Sequence, residues 1–318
     1  MLTIGSWELN IKPLSTVYQA LVTKPLLTSF TLRCQANRIP RPTSTIPPLP
    51  ALTTLVVYDI DPLCYPDDIS LVLASAKQLE NLQLHWSPRM RETGEESVNL
   101  MSMFARCVAA KVSLPIRRMS LWNLYTRFFG DSNEQIFNPL TVSEVTVINS
   151  MGSSDPMTVF LDDGWRLQHK HPVNQNLKML RMDTMDKEGV RILREFKGLE
   201  RMYIVSSKRR RGTPRSDSTA ATPISPSAST PGMNGGSASA AGTPNISEHL
   251  CRGVGGDFLA VIQSNHGGMR HLLLSDLWQL TDDALYKLCR SLPNLEQLGF
   301  AVEPYGPAGG VLVTASGR

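Results

Sequence analysis

Apolar residues recur along the chain in a short motif, LxxLxL with conservative replacements. It starts at Leu27 (with Phe30 and Leu32), Leu52 (Leu55, Val57), Leu79 (Leu82, Leu84), Ile116 (Met119, Leu121) and Val142 (Val145, Val147). It recurs at Leu177 (Leu180, Met182), Leu199 (Met202, Ile204), Met269 (Leu272, Leu274) and Leu295 (Leu298, Phe300). A weaker tenth copy opens the chain at Ile4, Trp7 and Leu9. Side chains in a strand alternate between faces, so LxL buries its leucines on one side and turns its neighbours outward. Such a repeat predicts one strand per copy, each followed by a connection that returns the chain to the same edge, which makes the sheet parallel.

The nine clear copies start 25, 27, 37, 26, 35, 22, 70 and 26 residues apart. The interval of 70 contains residues 206–247, rich in Ser, Thr, Ala, Gly and Pro, whose only large apolar residues are Ile224, Met233 and Ile246. Such a segment buries too little apolar surface to offset its ordering entropy, and is expected to be a disordered insertion. Without it the interval becomes 28, so the repeat resumes in register. The expected organisation is a repeat array over 1–205, the insertion over 206–247, the array again over 248–300 and an irregular tail over 301–318. A linker between two independent domains is the rival reading.

Between strands, Asp67–Lys77, Ser97–Lys111 and Lys187–Lys197 have amphipathic helical spacing, whereas the five prolines of Arg38–Pro50 predict an extended crossing. The last complete unit, MRHLLLSDLWQLTDDALYKLCRSLPNLEQLGF from Met269 to Phe300, is the clearest. A strand near His271–Ser275 precedes Thr281, a good N-cap, and then Ala284, Leu285, Leu288 and Cys289 at helical spacing before Pro293. This unit resembles the leucine-rich repeats of the ribonuclease-inhibitor-like type found in F-box proteins. Leu280, Thr281 and Asp282 match that family's I/L-T-D step, and Leu277 and Leu292 stand where it often carries cysteine. The resemblance implies an α/β fold, a right-handed solenoid with a parallel sheet on its concave face, and a role in protein–protein interaction. In such proteins the solenoid recognises substrates for a ubiquitin ligase, through an F-box that binds the ligase adaptor. No F-box is visible here, so that role would need a further N-terminal module. The alternative is a non-ligase scaffold or regulatory protein controlled by phosphorylation of its insertion.

On the concave face, the residue after the last apolar position of each copy reads Arg33, Tyr58, His85, Trp122, Ile148, Asp183, Val205, Ser275 and Ala301. Tyr58, His85 and Trp122 are consecutive in that series. They predict an aromatic stripe with Arg33 and Ile148 at its ends and Arg118 nearby, residue types that anchor protein interfaces. The alternative is that the long connections fold over and bury them.

Charge modifies this picture locally. Of 32 basic and 28 acidic residues, five basic and one acidic fall in 206–247, which leaves 27 of each elsewhere. A neutral body gives little reason to expect nucleic-acid binding. Within the insertion, Lys208, Arg209, Arg210 and Arg211 form a candidate import signal or a solvated charge run. Thr213, Thr222, Ser225, Thr230 and Thr243 each precede proline, as phosphosites of proline-directed kinases do. The sequon Asn245-Ile246-Ser247 is expected to go unused, since five scattered cysteines without a CxxC pair predict buried free thiols in a reducing compartment. No apolar stretch reaches a membrane span and no signal peptide opens the chain, so a cytoplasmic or nuclear location is expected.

Candidate chemistry is sparse. Gly253, Gly255 and Gly256 lack the Lys-Ser/Thr of a phosphate loop and read as a loop or helix start. His169 and His171 have no third ligand in reach, Asp162 and Asp163 read as a solvated turn, and Cys107 lies on an apolar helix face. Neither catalysis, a metal nor a cofactor is expected.

Overall fold

The computed structural model describes residues 2–9, 13–33, 46–60, 66–86, 103–122, 124, 136–137, 140–148, 176–182, 185, 187–205, 246–274, 280 and 282–300. Ten strands form one sheet: β1 (Ile4–Trp7), β2 (Ser29–Arg33), β3 (Thr54–Ile60), β4 (Asn81–Trp86), β5 (Arg118–Trp122), β6 (Glu144–Ile148), β7 (Met179–Met182), β8 (Arg201–Ile204), β9 (His271–Leu273) and β10 (Gln297–Gly299). Every pairing is parallel, and the spatial order is the chain order from β1 to β10. The fold is α/β, with described helices α1 (Ser15–Val22), α2 (Pro66–Ser75), α3 (Ala105–Ala109), α4 (Lys187–Leu193), α5 (Ile246–Asn265) and α6 (Asp282–Ser291).

The repeat positions become columns. Gly5, Phe30, Leu55, Leu82, Met119, Val145, Leu180, Met202, Leu272 and Leu298 pair one with the next across the whole sheet. Their inward side chains share one apolar cluster with Ile69, Val72 and Leu73 of α2, Cys107 of α3, Leu193 of α4, Phe258 of α5 and Leu288 of α6. The helices therefore cover one face, and the opposite face carries the alternate residues. Before several strands the first motif residue closes a tight turn. The N–H groups of Leu27, Leu52, Leu79, Met269 and Leu295 donate to the carbonyl three residues back at 2.9–3.1 Å. Repetition of that turn sets each strand in the same register.

Three local features differ from the pattern-based expectation. In β1 the inward pair is Gly5 and Trp7, so Ile4 and Leu9 are exposed. A glycine in the apolar column hid the true spacing; a Cβ there would meet Leu27 and Phe30 at 3.4 Å. Helix α5 starts at Ile246, two residues inside the expected insertion 206–247, and contains Gly253, Gly255 and Gly256, which are therefore neither a loop nor a helix start. Glycine lowers helix propensity, but twenty residues ending in Phe258, Leu259, Val261 and Ile262, all buried, supply the packing that overrides it. Cys289 is exposed, because Leu288 alone of that stretch is buried.

Two expectations hold, for Cys107 and Leu292. Cys107 is buried, and burial pushes its thiol up to about 11. Leu292 is buried, as an apolar plug should be. Helix α3 ends in a Schellman motif: Val112 N–H reaches Cys107 O at 2.9 Å and Lys111 N–H reaches Val108 O at 3.1 Å, with Lys111 at φ +52°. Among the described residues no helix is long and apolar enough to cross a membrane.

Candidate functional site

The predicted stripe assembles on the sheet face opposite the helices. Arg33 pairs with Tyr58, and Trp122 pairs with both His85 and Ile148. The Tyr58 and His85 rings lie edge to face at 6.4 Å, and those of His85 and Trp122 at 6.1 Å. All three rings are half-buried. At one end the Arg33 guanidinium lies 5.4 Å from the Tyr58 ring; at the other, Arg181 of β7 lies 5.9 Å from the Trp122 ring. The stripe is therefore Arg33, Tyr58, His85, Trp122 and Arg181.

Ile148 is not an exposed end of it. Only 7% of Ile148 is accessible, and its outward neighbour Thr146 is likewise buried, so on β6 the accessible outward side chain is Glu144. Arg118 is exposed and faces Glu144 at 3.9 Å. Asp183, Ser275 and Ala301 lie outside the described residues, as do Lys208–Arg211, Thr213, Thr222, Ser225, Thr230 and Thr243, His169, His171, Asp162 and Asp163.

A β-bulge organises the middle of the stripe. Val57 pairs with Leu84 and Ile60 with Trp86, so Tyr58 and Asp59 together oppose His85. Asp59 takes φ +53°, a left-handed conformation that aspartate tolerates better than most residues. The bulge turns the Asp59 carboxylate between Arg33, with which it forms an ion pair, and His85, whose Nδ1 lies 3.4 Å from Oδ1. The Asp59 N–H also donates to His85 Nδ1 at 3.2 Å. These two contacts ask opposite things of Nδ1, since a carboxylate favours a proton there and an amide donor excludes one. Burial is the largest influence and favours the neutral ring; Asp59 raises the His85 pKa and Arg33 lowers it, and the net direction is down.

Sequence reasoning missed Asp59, Arg181, Glu144 and Arg201. Arg181 occupies the middle outward position of its LxL motif, so the same alternation that gave Trp122 could have found it. Asp59 left no such signal, because the bulge adds a residue that the repeat period does not contain. Across β5–β8, Glu144 holds Arg201 at 2.9 Å as well as facing Arg118. Tyr203 and His271 form a second pair, with hydroxyl to Nδ1 at 2.9 Å.

An open cleft of about 600 Å³ lies at the strand entries, lined in part by Lys178, Glu200, Arg270 and Glu296. Its charges are paired, Lys178 with Glu200 at 3.3 Å and Arg270 with Glu296 at 2.6 Å, and it does not adjoin the stripe. Among the described residues no three metal-ligating side chains converge. Comparison with protein-family models, curated proteins and solved structures returns no match.

Proposed function

We propose that the protein is a protein-interaction module, a right-handed solenoid of the leucine-rich-repeat type that docks a partner on the sheet face opposite its helices. One observation carries the reading: Tyr58, His85 and Trp122 are half-buried neighbours on successive strands, flanked by Arg33 and Arg181. Half-buried aromatic and arginine side chains on a rigid sheet are the groups from which interfaces draw most of their binding energy, since they are already ordered and still have area to desolvate. The resemblance of Met269–Phe300 to repeats of F-box proteins supports substrate recognition for a ubiquitin ligase. The five Ser/Thr-Pro sites of 206–247 favour a second reading, a scaffold regulated by phosphorylation.

The test is affinity capture with the full chain and with Trp122→Ala, accompanied by thermal melts of both. The expected result is loss of specific partners by about 2 kcal/mol or more of binding, with the melting temperature nearly unchanged. Partners retained in full by the variant, or a variant that no longer folds, would remove the stripe as the docking site. A cullin adaptor among the captured proteins supports the ligase role; kinases or phosphatases alone support the scaffold.

A further inference from the structure

We infer that the partner docks an acidic polypeptide segment against the β5–β8 half of this face; the inference rests on the docking role proposed above and adds the chemistry of the occupant. The charges are unevenly divided. On the β1–β4 half, the Arg33 charge is answered by Asp59, and Glu8 follows β1 with its carboxylate accepting from Ser6 Oγ. On β5–β8, the outward positions among the described residues carry Arg118, Arg181 and Arg201 against the single carboxylate of Glu144. Asp183, two residues after Arg181, lies outside the described residues, as do Asp155, Asp162 and Asp163 between β6 and β7.

Arg181 is the group that most needs a counter-charge. It is exposed, it reaches no carboxylate among the described residues, and its guanidinium is held near the Trp122 ring. A guanidinium positioned by an aromatic ring keeps its fork of N–H donors for a carboxylate, and has less rotamer freedom to lose on binding. Arg118 and Arg201 share one acid, so each retains donors that Glu144 does not fill. Four adjacent parallel strands span about 14 Å, the reach of four or five extended residues. An extended segment with two or more Asp or Glu residues beside an apolar residue for Trp122 matches this spacing. Nucleic acid fits less well. The three rings of the stripe meet edge to face and offer no row of free faces for bases, and Asp59 and Glu144 sit within the face and repel phosphates.

The experiment measures fluorescence anisotropy of a labelled Glu/Tyr random copolypeptide against the full chain, with Lys208–Arg211 replaced by alanine throughout to remove the other basic cluster. Saturable binding is expected, weakened about fivefold or more by Arg181→Gln and by Trp122→Ala, and weakened by salt, while Arg33→Gln changes it little. Binding that survives Arg181→Gln, or equal binding of a Lys/Tyr copolypeptide or a single-stranded oligonucleotide, would overturn the inference. The two readings separate in the capture assay with Arg181→Glu. If capture still depends on Trp122 but tolerates Arg181→Glu, the face docks a partner that is not acidic. If capture tolerates both changes, the docking face itself is wrong.

Discussion

The backbone N–H of Asp59 donates to Nδ1 of His85 at 3.2 Å across the β-bulge, a bond that the ring accepts in its neutral form with the proton on Nε2. Protonation at Nδ1 would break that bond in exchange for the Asp59 carboxylate 3.4 Å away. The His85 pKa lies below the ordinary 6.5, chiefly through burial. Arg33→Gln should raise it by removing a neighbouring positive charge, and Asp59→Asn should lower it further. Histidine titration by NMR checks both signs. An Asp59→Asn variant that titrates higher than the parent would mean the carboxylate does not face the ring.

Leu82 and Leu272 stand in the same apolar column, buried at 0% and 2% exposure. Truncating either to alanine should cost about 2 to 5 kcal/mol. Chemical denaturation checks this, and an unchanged midpoint would remove the residue from the core.

His266, wholly buried, links three segments. Its Nδ1 accepts from Leu199 N–H at 3.3 Å, its Nε2 meets Leu193 O at 3.2 Å, and its ring packs 5.3 Å from Phe196. Burial lowers its pKa from 6.5 to about 4. The unfolded chain therefore binds a proton that the folded chain refuses, and stability falls as pH drops from about 6.5 towards 4, then levels. The loss is of order 3 kcal/mol at about 1.4 kcal/mol per pH unit. Denaturation at neutral pH and near pH 4.5 should show a smaller difference for His266→Gln than for the parent; equal differences would refute the assignment.

Lys111 occupies the left-handed position of the α3 Schellman motif, where a Cβ is unfavourable. Lys111→Gly should stabilise the fold by up to about 1 kcal/mol, because glycine adopts φ +52° without strain. A lower melting temperature would show that the lysine side chain contributes more than the backbone strain it imposes.

Much of the sheet was legible because LxxLxL combines two constraints, an alternation of two within each strand and a spacing that recurs between strands. Phe30, Leu55, Leu82 and the residues stacked after them fall in one column for that reason. The register of β1 is hidden in the pattern because Gly5 takes an apolar place with no apolar side chain. Helix α1 leaves little apolar pattern in the sequence, because Ser15–Val22 buries only Tyr18. On the face opposite the helices the rings were legible from register. The charges that decide its character were less so: Asp59 depends on an unrepeated bulge, and Ile148 is closed off although its strand position points outward.

The strictly sequential strand order has a mechanical consequence. Each interior strand is braced by two neighbours in sequence, and among the described residues no strand pairing skips a strand. Cohesion is then that of a stack of coins, each layer held by the layers touching it. A defect placed centrally, at Met119 or Val145, would divide the stack into two shorter ones, whereas the same defect at β10 would only fray an end. The aromatic stripe lies across β3–β5, away from both ends of the sheet, so its geometry is kept while terminal layers open and close.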